Sequence, residues 1–163
     1  MHAAARRDLS SARRVRSGHR SSHLGTRHLQ AVRRADLRCT MHQSIGKIQF
    51  NQGNLSAAGS DFQSALSEFE ALGEQVGAAQ CTRMLGAVRR CQGDYDSAKT
   101  LLTAALEALT RLGSRLDLAN CHWSFGQLYR DQGRTREALA SFESARDIYE
   151  ALGRQATSPF ATR

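Results

Sequence analysis

The sequence predicts an all-α fold, an array of three helix-turn-helix repeats, on three observations. Residues 41–80, 81–120 and 121–160 superimpose at a period of 40 residues with no insertion or deletion. Glycine recurs in fixed columns (Gly53, Gly93 and Gly133; Gly73, Gly113 and Gly153), and the segments between carry apolar residues at helical spacing. The single proline, Pro159, lies outside every such segment, so no helix is broken from within. A fixed period of about 20 to 50 residues marks a stacked array in which no unit can bury its apolar face alone.

Taken in order, the punctuation gives helices near 37–51, 55–72, 77–91, 95–112, 117–131 and 135–152. The first, third and fifth (helices A) end at Gly53, Gly93 and Gly133, residues suited to the left-handed conformation beyond a helix end. The others (helices B) carry the strongest stripe: Tyr95, Ala98, Leu101, Leu102, Ala105, Leu106, Leu109 and Leu112 fall on one face of a 3.6-residue helix. Gly46, Gly86 and Gly126 sit inside helices A, where glycine costs about 0.5 to 1 kcal/mol relative to alanine. A cost repeated in equivalent places implies a close approach of helix A to helix B, with Ala58, Ala98 and Ala138 opposite.

Charge is unevenly distributed. Residues 1–40 hold ten Arg and two Asp, which accounts for the whole formal net charge of +8; the remainder balances 13 basic against 13 acidic side chains. The basic character therefore belongs to a leader, residues 1–33, expected to be unordered. An organelle transit segment and a nucleic-acid-binding arm are alternative readings of it, though it lacks aromatics for base stacking. Leu29 and Val32 fall in the columns of Phe69 and Leu72, which makes residues 26–34 a candidate remnant of an earlier helix B. Residues 154–163 are expected to form a flexible tail, leaving the apolar side of the last helix B uncapped and open to self-association, or marking the chain as a fragment of a longer regulator.

No run approaches the roughly 18 to 20 apolar residues of a membrane span, so a cytoplasmic protein without membrane contact is expected. Cys39, Cys81, Cys91 and Cys121 form no C-x-x-C pair. Cys81 and Cys121 share a column and would stand about one helix spacing, roughly 8 to 10 Å, apart, too far for a disulfide. Buried thiols are the expectation. His42 and His122 lie near these cysteines, but equivalent columns repeat chemistry along an array without converging four ligands, so no metal site and no cofactor are expected. No phosphate loop, paired carboxylates or nucleophile elbow occurs, and no catalytic residue is assigned.

The segment SFGQLYRDQGRTREALASFESA (residues 124–145), with SIGKIQFNQGNLSAAGSDFQSA and MLGAVRRCQGDYDSAKTLLTAA, resembles the tetratricopeptide repeat over about three quarters of the chain. Large–small pairs Ile45-Gly46, Leu85-Gly86 and Phe125-Gly126 meet the family pattern, as do Gly133, Ala138, Phe142 and Ala145 with their equivalents. Two features depart from it. The period is 40 rather than about 34 residues, and Leu-Gly (Leu72-Gly73, Leu112-Gly113, Leu152-Gly153) replaces the usual proline. This longer form resembles repeats of kinesin light chains and of the sensor halves of bacterial regulators.

The resemblance implies a right-handed superhelix and a concave groove lined by helices A that takes a protein or peptide. Carried over, the groove positions are Gln43, Lys47 and Phe50, then Gln80, Arg83 and Arg90, then Asn120, Trp123, Gln127 and Arg130. Basic, amide and aromatic side chains of this kind suit an acidic or carboxylate-bearing segment. The family's clamp for a chaperone C-terminus is not reproduced, since its five positions hold Gln43, Lys47, Met84, Asn120 and Ser124. A non-enzymatic binding scaffold is thus the leading expectation. A sensor fragment of a transcription regulator and nucleic-acid binding by the leader are the alternatives.

Overall fold

The computed structural model describes the backbone of residues 15–153 and the side chains of residues 30 and 33–153. Six helices follow one another: α1 (Val15–Asn51), α2 (Leu55–Leu72), α3 (Gln75–Cys91), α4 (Tyr95–Leu112), α5 (Arg115–Asp131) and α6 (Thr135–Ala151). They form three antiparallel pairs, α1–α2, α3–α4 and α5–α6, each stacked on the next.

Glycine sets every turn by the same bond. Gly93, past the end of α3, has φ +81°, and the N–H of Asp94 donates to the carbonyl of Arg89 (3.0 Å). Gly73 has φ +72° at the end of α2, and there Glu74 donates to Phe69 (2.9 Å). This six-to-one closure satisfies helix-end carbonyls and requires a left-handed residue, which glycine adopts without a steric penalty. Asp94 caps α4 by accepting from the N–H of Ser97 (3.2 Å).

Helices α2 and α4 are each held between their own helix A and the next one. Ala65 and Phe69 of α2 pack with Cys39 of α1 and Cys81 of α3; Ala105 and Leu109 of α4 pack with Ala79 of α3 and Cys121 of α5. Nearer the A–B turns, Ala58 and Phe62 meet Met84 and Val88, and Ala98 and Leu102 meet Phe125 and Leu128. The core is thus a row of similar apolar clusters, as expected when each unit buries its face only against its neighbours.

The expected close approach is present. A β-carbon on Gly46 would meet the Phe62 ring at 2.8 Å, one on Gly86 would meet Leu102 Cγ at 3.0 Å, and one on Gly126 would meet the Phe142 ring at 2.5 Å. Ala58, Ala98 and Ala138 are buried opposite. Gly77 does the same between repeats, where its β-carbon would stand 2.6 Å from the Phe69 ring.

The structure differs from the sequence expectation in two places. Helix α1 begins at Val15 rather than near residue 37 and covers most of the segment expected to be an unordered leader. No proline interrupts Val15–Asn51, so nothing removes an i to i−4 hydrogen bond along its length of about 55 Å. Residues 1–14 and the expected tail 154–163 lie outside the described residues. The second difference is Cys91: Cys39, Cys81 and Cys121 are buried, but Cys91, the last residue of α3, is exposed.

Candidate partner-binding groove

Helices α1, α3 and α5 lie side by side and are tied together by side chains assigned to the groove. Gln43 donates through Nε2 to Gln80 Oε1 (3.1 Å), and Gln80 donates through Nε2 to Asp117 Oδ1 (3.0 Å), with 37 residues between successive members. Ser114 Oγ closes the series by donating to Asp117 Oδ2 (2.6 Å). The order has a direction. Each amide passes a donor to the next repeat, and the series ends on a carboxylate, which can only accept. Gln43 and Asp117 are buried, so these bonds satisfy groups that would otherwise be desolvated at a cost.

Arginine makes a second set of ties with the opposite offset. Arg83 Nη1 donates to Ser124 Oγ (3.3 Å), 41 residues on, and Arg90 pairs with Asp131 at the same separation. The Nε donors of both arginines are buried without a hydrogen-bond partner. Asn120 accepts from the Tyr149 hydroxyl, which ties α5 to α6.

The ten groove positions therefore divide into two kinds. Gln43, Gln80, Arg83, Arg90 and Asn120 hydrogen-bond within the array, and Phe50 packs beside the cluster of Phe62 and Val88. Lys47 and Arg130 are exposed, and Gln127 and Trp123 are half-buried. Trp123 leans on Phe142, with ring centroids 4.8 Å apart. Arg130 also reaches Asp131 Oδ1 (3.1 Å), so Asp131 joins arginines from two repeats.

Asp117, Ser124, Asp131 and Tyr149 were not among the positions assigned from the sequence. For Asp117, Ser124 and Asp131 the signal is spacing: donor and acceptor stand 37 or 41 residues apart, close to the 40-residue period but displaced by about a helical turn or by a single residue, whereas Tyr149 and Asn120 stand 29 apart and carry no such signal.

Burial decides the chemistry of the nearby titratable groups. It pushes the thiols of Cys81 and Cys121 up to about 11 and holds the His122 imidazole below its ordinary range. His42 Nδ1 stands 3.6 Å from Glu68 Oε2. Among the described residues no group of three or more His, Cys, Asp or Glu side chains is placed to hold a metal ion, and no helix is long and apolar enough to cross a membrane.

Antiparallel helix pairs in a stacked row, with polar side chains bridging consecutive A helices, define a helical-repeat scaffold, a class generally used for protein interaction. The family model described as "Tetratricopeptide repeat" matches residues 36–111 and 82–151, and the chain belongs to this family. Among solved structures, the tetratricopeptide repeat domain of Arabidopsis FLU is similar at 18% identity, with a TM-score of 0.63 over 72% of this chain and 98% of that one. BtubC (BKLC) from P. vanneervenii is 15% identical over 79% of this chain and 70% of that one, with a TM-score of 0.45. No curated protein matches the chain in sequence.

Proposed function

We propose that the chain is a non-enzymatic scaffold whose A-helix groove binds an acidic protein segment, with Lys47 and Arg130 as exposed cations and Trp123 as the apolar anchor. The observation that carries this reading is the set of cations spread over all three A helices: Lys47 on α1, Arg83 and Arg90 on α3, and Arg130 on α5. The internal ties of Arg83 and Arg90 hold the two guanidinium groups in place beforehand, which lowers the entropy lost on binding. Arginine pairs bidentately with carboxylates, so an acidic segment is favoured over a neutral one.

Trp123 is the only tryptophan, and its fluorescence reports on the groove directly. Titration with a library of acidic peptides should give a saturable change. Lys47→Ala and Arg130→Ala, both at exposed positions, should each weaken binding by about tenfold, or roughly 1.4 kcal/mol. Absence of a saturable response, or binding by both variants as tight as that of the unaltered protein, rejects the groove reading.

A further inference from the structure

Inside the array α2 and α4 meet the following helix A through the same columns, Ala58 and Phe62 with Val88, and Ala98 and Leu102 with Leu128. Gly59 of α2 faces Val88 of α3, whose Cγ1 lies 3.7 Å from where a Gly59 β-carbon would stand. In the last repeat the column of Gly59 holds Leu139 on α6, and in the first the column of Val88 holds Ile48 on α1. These two large side chains are 58% and 55% exposed.

The rest of the α1 surface follows the same rule. Met41 and Ile45, 59% and 40% exposed, occupy the columns of Cys81 and Leu85, which pack against α2. Helix α1 thus presents to solvent the face with which α3 and α5 grip the helix B before them. Helix α6 presents Leu139 on the side that α2 turns toward α3.

Charge decides between the ways of covering these faces. Residues 33–51 of α1 carry Arg33, Arg34, Arg38 and Lys47 against Asp36, a net of +3, whereas α6 carries Glu137, Glu143, Asp147 and Glu150 against Arg136 and Arg146, a net of −2. Pairing α1 with α1, or α6 with α6, brings like charges together; pairing α6 with α1 opposes them.

We propose that α6 of one molecule docks on α1 of a second copy, head to tail, so that the stacking continues across the molecular boundary with Leu139 against Ile48. The second copy is the occupant because its α1 lies in register with α3 and α5 and carries the complementary charge, extending the junction already present between α2 and α3. Leu37 holds the column that Gly77 fills on α3 and Asp117 on α5, so this junction is apolar where the α4–α5 one carries a carboxylate. Such a contact is heterologous and does not close on itself, so association is open-ended. Ile48 and Leu139, which carry the contact, are not among the groove positions, so the two readings are tested separately.

Sedimentation velocity of the full chain over a concentration series tests it. The weight-average sedimentation coefficient of the unaltered protein should rise with concentration without a plateau at dimer. Ile48→Glu and Leu139→Glu, both at exposed positions, should each remain at the monomer value with an unchanged circular dichroism spectrum and melting midpoint. An equimolar mixture of the two should form dimers that grow no further, because one intact α6 then meets one intact α1. A monomeric unaltered protein overturns the proposal. So does loss of association in only one of the variants, which is the mark of two-fold pairing through a single helix, or a mixture that stays monomeric.

Discussion

The Phe142 ring occupies the space that a β-carbon on Gly126 would need, 2.5 Å from Phe142 Cε1. The same relation joins Gly86 to Leu102 and Gly46 to Phe62, so one missing side chain per repeat sets the distance between helices A and B. Gly126→Val and Gly86→Val should lower stability by about 1 to 3 kcal/mol through overpacking, read from urea midpoints. Gly59→Ala should do the opposite. Its β-carbon would meet Val88 Cγ1 at an ordinary 3.7 Å, and the gain in helix propensity should add about 0.5 to 1 kcal/mol.

Gln80→Ala removes the middle of the polar series and leaves buried Asp117 with Ser114 as its remaining side-chain partner. The expected loss is about 1 to 3 kcal/mol, the cost of an unmet buried group. An unchanged denaturation midpoint would show that the series contributes nothing to the joining of repeats.

The turn at Gly93 has φ +81°, where an L-residue with a β-carbon is strained. Gly93→Ala should therefore cost about 1 to 2 kcal/mol although nothing lies within 4 Å of its β-carbon position. Thermal melting of Gly93→Ala beside Gly59→Ala would separate backbone strain from packing, since the two substitutions should shift the midpoint in opposite directions.

The cysteines should differ in reactivity. In the native protein a thiol reagent should modify Cys91 rapidly and reach Cys39, Cys81 and Cys121 only on unfolding. The folded-state thiols of Cys81 and Cys121 titrate at about 11 against an ordinary value of 9.0, so the native state favours the protonated form. Their contribution to stability is complete below pH 9 and is lost as pH rises toward 11. The denaturation midpoint should fall across that window, and Cys81→Ala should make the fall shallower.

The repeat, its turns and the helix-helix approach were legible because each rests on a local property copied three times. Gly73 and Gly113 mark left-handed helix ends, and Gly86 marks a place where bulk is excluded. The groove was legible only in part. The family resemblance brought forward Gln43, Gln80 and Arg90, but not their partners Asp117 and Asp131, whose offset from the 40-residue period follows from how neighbouring helices slide along one another.

By itself the sequence determined the number of repeats, the turn residues and which face of each helix is apolar, since these follow from backbone sterics and the 3.6-residue period. Only the tertiary structure decided which polar side chains are spent inside the array and which face outward. Hydrogen bonding between repeats depends on distances of about 3 Å between residues some 40 positions apart, and those are fixed by packing rather than by local preference.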